Sequence, residues 1–390
     1  MTSTTNRTIV NSRNPAAGFS LIEMVVSMGI MLVITGAAMT GMSNATKVNQ
    51  SALFVTGMNS NLRTGMDLVT RDLLQTGQGL PNGGVILIPS GLGAAQIKLP
   101  GPPGTSYKSA LGDTDISAVT PGPGLGPPVN GVATDMLTVL EADSAFDHRS
   151  LLALAADGSS MTVSKPQPDG TVCDISNGGP DDILPGQLIM LTKGSATTLV
   201  EVTSVNGDQT AFFAVNDSLN LNQPGAAAGN ITALLATAPA DVLPPVGQPQ
   251  YLPTQATRIR MISYYLDATT TPLRPRLIRR MNNGDPLVFN NALGNVVAFD
   301  IEGVLVSYDI NDAATNPSGV KFNAADLAGT GACAPNPCNM NQIRKANVTL
   351  TGRSPIASKV TGQFFRNSLA TEIALRSLAF VDRYTSPPAP

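Results

Sequence analysis

Glu23 is the only formal charge in the apolar run from Phe19 to Met42. A charged side chain at the centre of a membrane-spanning helix costs about 2.5–3.5 kcal/mol. A carboxylate kept in such a run needs a positively charged partner, because a lone buried charge is unstable. The chemistry predicted for Glu23 is therefore charge pairing. The simpler alternative is a glutamate that extends to the lipid headgroups.

Few other residues have the spacing of a catalytic site. His148 is the only histidine, and it lies in the stretch Phe146-Asp-His-Arg-Ser150, which favours a solvated turn over a catalytic base. The phosphate-binding pattern GxxxxGK[ST] does not occur in the sequence. We therefore expect no catalytic centre and no cofactor, and we expect that the chain is not an enzyme.

Two cysteines are close enough in sequence to form a local disulfide. Cys333 and Cys338 are separated by four residues, and they would be joined in an oxidising compartment or remain free thiols otherwise. We favour the disulfide, because the apolar run indicates a location outside the cytosol. Cys173 is the third cysteine, and neither the spacing nor the single histidine suits zinc.

Two further polar groups have an ordinary interpretation and a functional one. The oxygen-rich stretch Asp309–Asp312 could contact Ca²⁺, but it lacks the EF-hand spacing, so an Asx turn is favoured. A basic cluster could bind an anion, although alternation along a hairpin favours a solvated sheet face. This cluster consists of Arg274, Arg276, Arg279 and Arg280.

The composition limits the class of protein. The chain has 390 residues, a net charge of −3 and only 13% charged residues, so no basic block is available for a nucleic-acid partner. Its 37 glycines and 30 prolines favour a globule rich in strands and turns.

The apolar run is long enough to cross a membrane. Its 24 residues would span about 36 Å as a helix, and Arg7 and Arg13 precede it, which places the amino terminus in the cytoplasm. A cleaved signal peptide with a small-residue site at Thr35–Ala38 is one alternative. A plain anchor is another, but it would not contain an acid.

The stretch Gly18-Phe-Ser-Leu-Ile-Glu23, followed by an apolar helix, resembles the class III signal of type IV prepilins and type II secretion pseudopilins. The resemblance implies that a membrane-embedded peptidase cuts between Gly18 and Phe19 and that the new amino group of Phe19 is methylated. Ala17 departs from the family pattern, in which a basic residue is common there.

This resemblance gives Glu23 a physical role. Cleavage creates a cationic amine at Phe19, and an axial offset between subunits would bring that amine to the glutamate of a neighbour. Both charges then gain a partner only in the correct stagger, so Glu23 would set the register of assembly.

The helix is predicted to continue beyond the membrane. An apolar stripe recurs at spacings of three, four or seven residues, with Asn59 in one slot, and ends near Gly77–Pro81. The stripe consists of Val48, Ala52, Val55, Leu62, Met66, Val69 and Leu73. A continuous helix from Phe19 to Thr76 would be about 87 Å long.

We predict an α+β fold in which this long helix packs on an antiparallel β-sheet head with irregular insertions. The predicted segments are a leader (1–18), a transmembrane helix (19–42), an amphipathic helix (43–77), a Gly/Pro-rich irregular loop (78–133), a β-rich insertion or subdomain (134–250) and a C-terminal antiparallel head (251–390). The predicted strands are 134–140, 183–191, 198–205, 210–215, 258–266, 273–280, 296–309, 342–350 and 371–380. The last of these could instead be a short helix.

The order of elements resembles the PilW-like minor pilins and their secretion counterpart, the J-type pseudopilins. The shared patterns are at 67–77, Tyr264-Tyr265, 277–279, 304–308 and Leu375-Arg376. The resemblance implies a minor pilin that begins in the inner membrane with its head in the periplasm and then joins a pilus, with other minor pilins, the major pilin, the prepilin peptidase and the assembly platform as partners. A pilus-tip adhesin, with loops 81–130 or 310–340 contacting a surface, is the alternative from another class.

Overall fold

The computed structural model of the chain describes most of the helix and of the strands that follow it. The described residues are 18–81, 85–87, 97–102, 115–146, 149–163, 182–194, 196–206, 209–215, 217–222, 234, 254–268, 273–282, 294–311, 316–322, 340–358 and 361–379.

The first element is a single helix, α1, from Leu21 to Gln75. Its 55 residues correspond to about 82 Å. Ser20 caps its start, and it ends where Thr76 turns to an extended backbone with ψ of 131°. The prediction of one continuous helix is confirmed.

Antiparallel strands follow the helix, which confirms the predicted α+β class. In chain order they are β1 (Val85–Leu87), β2 (Asp115–Ser117), β3 (Val119–Val129), β4 (Val132–Ala142), β5 (Arg149–Leu154), β6 (Ser160–Val163), β7 (Leu188–Lys193), β8 (Ala196–Glu201), β9 (Ser204–Asn206), β10 (Thr210–Phe212), β11 (Gln255–Asp267), β12 (Arg276–Met281), β13 (Asn295–Phe299), β14 (Ile301–Ile310), β15 (Ile343–Arg353) and β16 (Arg366–Ala374). A short 3-10 turn, Met340–Gln342, precedes β15, and a four-residue helix, α2 (Arg376–Ala379), follows β16.

Strand β11 organises the larger sheet. It pairs with β12 along one part of its length and with β4, β5 and β7 along others. Strands β4 to β7, from the predicted insertion, therefore share a sheet with β11 and β12 from the predicted C-terminal head. The domain limits themselves stay a prediction.

A second sheet has the order β14-β15-β16. Asp135 on β4 connects it to the larger sheet, because its Oδ2 accepts the backbone N–H of Val306 at 2.9 Å. Its Oδ1 accepts the N–H of Gly124 on β3 at 2.8 Å. One buried carboxylate thus satisfies backbone donors from both sheets.

The helix packs on both sheets through its C-terminal half. Met58, Leu62, Met66, Val69 and Leu73 form one apolar core with residues of β4, β11, β12, β14 and β15. Gly352 on β15 permits the closest approach, because a Cβ at that position would lie 3.0 Å from Cγ of Leu62. Two further cores lie within the head, away from this interface.

The prediction that residues 78–133 form only irregular loop is wrong for β1, β2 and β3. Strand β3 spans Val119–Val129, although it contains Pro121, Pro123, Pro127 and Pro128. Among the described strands it pairs with β4 alone, and its register shifts twice, so its prolines occupy an edge strand with bulges. Asn130 and Gly131, with φ of 51° and 78°, form the tight turn that joins it to β4.

Several predicted strands have different limits in the structure. The predicted strand 183–191 begins only at Leu188, and the predicted strand 198–205 is divided between β8 and β9. The predicted strand 296–309 is divided at Asp300, whose φ of 59° separates β13 in one sheet from β14 in the other. The predicted strand 371–380 is correct only to Ala374, after which Arg376–Ala379 are helical. There Leu375 and Leu378 turn into the core beside the end of α1.

The predicted strand pairs are otherwise confirmed. Strand β11 forms the predicted hairpin with β12, β7 pairs with β8, and β14 pairs with β15.

Candidate functional site

The predicted cleavage position lies immediately before the helix. Gly18 and Phe19 are outside any regular element, and the Phe19 side chain is 89% exposed. A Cβ at Gly18 would have no described atom within 4 Å, so the glycine is not required for packing inside this chain. The geometry leaves this peptide bond accessible to another protein.

Ser20 and Glu23 cap the helix reciprocally. The N–H of Glu23 donates to Ser20 Oγ at 3.2 Å, and the N–H of Ser20 donates to Glu23 Oε2 at 3.1 Å. Two backbone donors that have no partner within the helix are thereby satisfied. This role was missed in the sequence, although Ser20-x-x-Glu23 before an apolar run is the known signal for a capping box.

Among the described residues, no cation pairs with Glu23. Its neighbours are the backbone of the first helical turn and exposed apolar side chains such as Ile22 and Val26. The partial positive charge of a helix N-terminus stabilises a carboxylate, but typically by only about 0.3–1 kcal/mol at an exposed site. The charge balance expected for Glu23 is therefore incomplete within the described part of the chain.

The first half of α1 is apolar and exposed. This helix is long and apolar enough to cross a membrane, and its most apolar window has no buried residue. The predicted apolar stripe begins to contact the head only at Val55. The expectation that its first members would pack on the head is wrong for Val48 and Ala52, which are exposed because the head begins beyond them.

The second half of α1 is joined to the head by a buried acid. Asp72, 1% exposed, accepts hydrogen bonds at its Oδ2 from Tyr264 Oη and Arg279 Nε, each at 2.6 Å. Burial, and then the charge of Asp72, raise the pKa of Tyr264 well above its ordinary value, so its hydroxyl remains a donor. Burial lowers the pKa of Arg279, but the hydrogen bond and charge of Asp72 outweigh this and raise it overall.

The basic cluster predicted from the sequence is used inside the chain. Arg274 pairs with Asp300, Arg276 with Asp267 and Arg279 with Asp72, and Arg280 donates to the carbonyl of Gly101. The favoured prediction of a solvated sheet face is wrong for Arg279 and Arg280, which are largely buried. Arg279 is covered by the helix and Arg280 by the segment at Gly101.

The remaining predicted residues are placed as follows. Asp309 accepts from the N–H of Gly319 and from Asn347 Nδ2, both at 2.9 Å, and Asp312 lies outside the described residues. Within the described ranges, no group of three or more metal-ligand side chains occurs. Cys173, Cys333, Cys338 and His148 also lie outside the described residues, so the disulfide stays a prediction. Asn59, which interrupts the apolar stripe, accepts a hydrogen bond from Asn367 of β16 at 2.9 Å.

Comparison with known proteins identifies one segment. A family model described as the prokaryotic N-terminal methylation motif matches residues 13–39. No curated protein matches the chain. No solved structure matches it either. The matched segment contains Gly18, Phe19, the Ser20–Glu23 cap and most of the exposed apolar helix. The chain therefore carries, ahead of its β-rich head, the N-terminal methylation motif that is the class III signal of type IV pilins.

Proposed function

We propose that the chain is a minor pilin, a structural and non-catalytic subunit that primes or completes a type IV pilus. The observation that carries the proposal is the methylation motif at residues 13–39, which occupies a helix whose apolar half has no partner within the described chain. A helix that is hydrophobic on all sides needs lipid or other helices around it. As a membrane anchor this helix is surrounded by lipid, and in the core of the assembled fibre it is surrounded by other helices.

Processing is the first step of the proposal. The prepilin peptidase cuts between Gly18 and Phe19, and the new amino group of Phe19 is methylated. Both residues lie in the exposed segment before α1, outside any regular element, which suits entry into an enzyme. Arg7 and Arg13 precede the apolar run, so the amino terminus is cytoplasmic and the head is periplasmic.

Assembly is the second step. Glu23 retains one N–H donor from Ser20 in the single chain and gains the amine of a neighbouring subunit in the fibre. The partners are the major pilin, other minor pilins, the prepilin peptidase and the assembly platform of the inner membrane. A head of this size on a single helix would crowd lateral neighbours in a repeated shaft, so we place the subunit at the tip.

A J-type pseudopilin of a type II secretion system would carry the same motif, and the geometry of the anchor suits it equally. Deletion of the gene distinguishes the two functions. Loss of surface pili with normal export of folded enzymes supports the pilin, and the opposite result supports the pseudopilin.

An adhesive role for the head is compatible with either assembly. The β3–β4 hairpin exposes Leu125 and Val132 near its tip, within or next to one of the two loop regions predicted to contact a surface. The double substitution Leu125→Ser and Val132→Ser tests this role, because deleting 81–130 would also remove β1, β2 and β3. Loss of adhesion with normal piliation would support it, and loss of piliation would assign the tip of the hairpin to assembly.

The variant Glu23→Gln tests the assembly step. The amide has the same size but cannot neutralise an amine, so we expect normal cutting at Gly18 and loss of the subunit from sheared fibres. Asp67→Asn, which neutralises an exposed acid on the same helix, is the matched control and should assemble normally. Glu23→Gln subunits present in fibres at the wild-type level would contradict the proposal.

A further inference from the structure

A short segment of the head, Asp217–Asn222, closes over the second apolar core. Its residues Leu219 and Leu221 are 1% and 0% exposed, and they pack in the same core as Ile97 and Leu99. The backbone N–H of Lys98 donates to the carbonyl of Leu219 at 2.8 Å. The segment therefore covers this core and also holds the chain at residues 97–99.

Asn222 attaches the end of the segment to β8. The N–H of Glu201 donates to Asn222 Oδ1 at 3.0 Å, and Asn222 Nδ2 donates to the carbonyl of Glu201 at 2.6 Å. The Glu201 carboxyl group lies directly beside the segment. Its Oε1 bonds to the Ser218 hydroxyl at 2.6 Å, and its Oε2 accepts the N–H of Leu219 at 3.0 Å.

A second acid faces the first. Asp217 is 6% exposed and Glu201 is 4% exposed, and the Glu201 carboxyl group is bonded to Ser218, the residue next to Asp217, so the two buried acids lie beside each other. Asp217 also accepts the N–H groups of Leu221 and Asn222, at 2.8 and 2.7 Å. Two buried carboxylates that lie side by side repel each other when no cation is near, which favours the protonated form of one of them.

Among the described residues, no positively charged side chain pairs with Glu201. Asp217 is the titratable group that contacts it, and the other contacts from the segment are the neutral donors of Ser218 and Leu219. On the neighbouring strand β7, Leu188 is opposite Glu201, and the Lys193 ammonium at the far end donates to the carbonyl of Leu234. The sequence of strand β1 contains no charged residue, and the side chain of Lys98 is exposed. No described arginine or lysine forms an ion pair with either acid.

We propose that Asp217–Asn222 is a latch that a proton on Glu201, beside Asp217, holds closed over the apolar core. Burial, and then the hydrogen bond to Asp217, raise the pKa of Glu201 to about 7 in the closed state. In an open, solvated state the pKa of a glutamate is about 4.3. The closed state therefore keeps a proton that the open state loses.

The sign of the pH dependence follows from this difference. Below about pH 4.5 Glu201 is protonated in both the closed and the open state, and the closed latch is most stable. Between about pH 4.5 and 7 only the closed state holds the proton, so each pH unit favours opening by roughly tenfold. Above about pH 7 Glu201 is ionised in both states, and the equilibrium between the closed and the open latch no longer changes with pH. The proposal does not depend on the role of the chain as a pilin.

Hydrogen exchange of the full chain in detergent micelles tests the latch. We expect the protection factors of the amides of Leu219, Leu221 and Asn222, corrected for the intrinsic rate, to fall more than tenfold from pH 5 to pH 7 and to be constant from pH 7 to pH 8. In Glu201→Gln the neutral amide still donates to Asp217, and the protection should be independent of pH. Constant wild-type protection across this range, or an unchanged pH dependence in Glu201→Gln, would overturn the proposal.

Two further variants keep the test decisive. Glu141→Gln changes another buried acid, which lies beside Arg260, and it should leave the pH dependence of the latch intact. If Glu201→Gln does not fold, Asp217→Asn removes the other acid of the pair and should reduce the pH dependence. A full wild-type pH dependence in Asp217→Asn would also contradict the role proposed for this pair of acids.

Discussion

The two halves of α1 have opposite surroundings. From Leu21 to Met42 the large apolar side chains are 54–82% exposed, whereas Met58, Leu62, Met66, Val69 and Leu73 are 0–3% exposed. Each half also contains one acid in apolar surroundings. Asp72 has Tyr264 and Arg279 as partners in the same chain, but among the described residues Glu23 has only the N–H of Ser20. The second half is thus completed by its own head, whereas no described residue completes the first half.

The largest loss of stability is expected when Asp72, the acid with partners in its own chain, is replaced. Asp72→Ala leaves Arg279 buried without its carboxylate and should destabilise the head by about 3–5 kcal/mol. Urea unfolding followed by near-ultraviolet circular dichroism of the six tyrosines measures the change. Asp67→Ala, an exposed acid on the same helix, is the control. A loss below about 1 kcal/mol, within the range for exposed ion pairs, would show that the partners of Asp72 do not hold the helix to the head.

A second pair of variants compares a buried and an exposed apolar side chain of α1. Leu62→Ala removes a side chain that is 1% exposed and should cost about 2–5 kcal/mol, because it leaves a cavity under the helix. Leu53→Ala, at 63% exposed, should change the stability of the isolated chain by less than about 0.5 kcal/mol. If Leu53 packs on other subunits, Leu53→Ala should nevertheless lower the amount of the subunit in fibres. Equal losses of stability for the two variants would contradict the comparison.

The smallest effect is expected at the start of the helix. Ser20→Ala removes the side chain that accepts from Glu23 N–H and should weaken the first turn by about 1 kcal/mol. Faster hydrogen exchange at residues 21–24 in detergent measures this change. Ser27→Ala is the matched control, because the Ser27 hydroxyl donates only to the carbonyl of Met24 within the helix. Identical hydrogen-exchange rates at residues 21–24 in Ser20→Ala and Ser27→Ala would show that the Ser20 cap does not stabilise the first turn.

The anchor was readable from the sequence because its signals are local. The apolar run, the glycine and the acid at fixed spacing lie within a few residues of each other. Even here the Ser20–Glu23 cap was overlooked, although its spacing is visible. The strand pairs β11–β12 and β14–β15 were also predictable, because each strand shows alternation and a clear turn or partner.

The rest of the fold depends on contacts between distant residues. Strand β3 was missed because prolines usually exclude strands, and only its position at the sheet edge makes them acceptable. The break at Asp300 follows from β13 and β14 belonging to different sheets. The pairing of Asp72 with Tyr264 and Arg279 joins residues about two hundred positions apart, and no local pattern indicates it.

Mass spectrometry of the mature amino terminus tests the central claim most directly, namely that the first half of α1 is prepared for partners outside the chain. The account predicts that protein from cells with active prepilin peptidase begins at Phe19 with a methylated amino group, and that Gly18→Leu remains uncut although no described residue packs on Gly18. A wild-type chain that still begins at Met1, or that begins at Met39 after an ordinary signal-peptide cut, would contradict it.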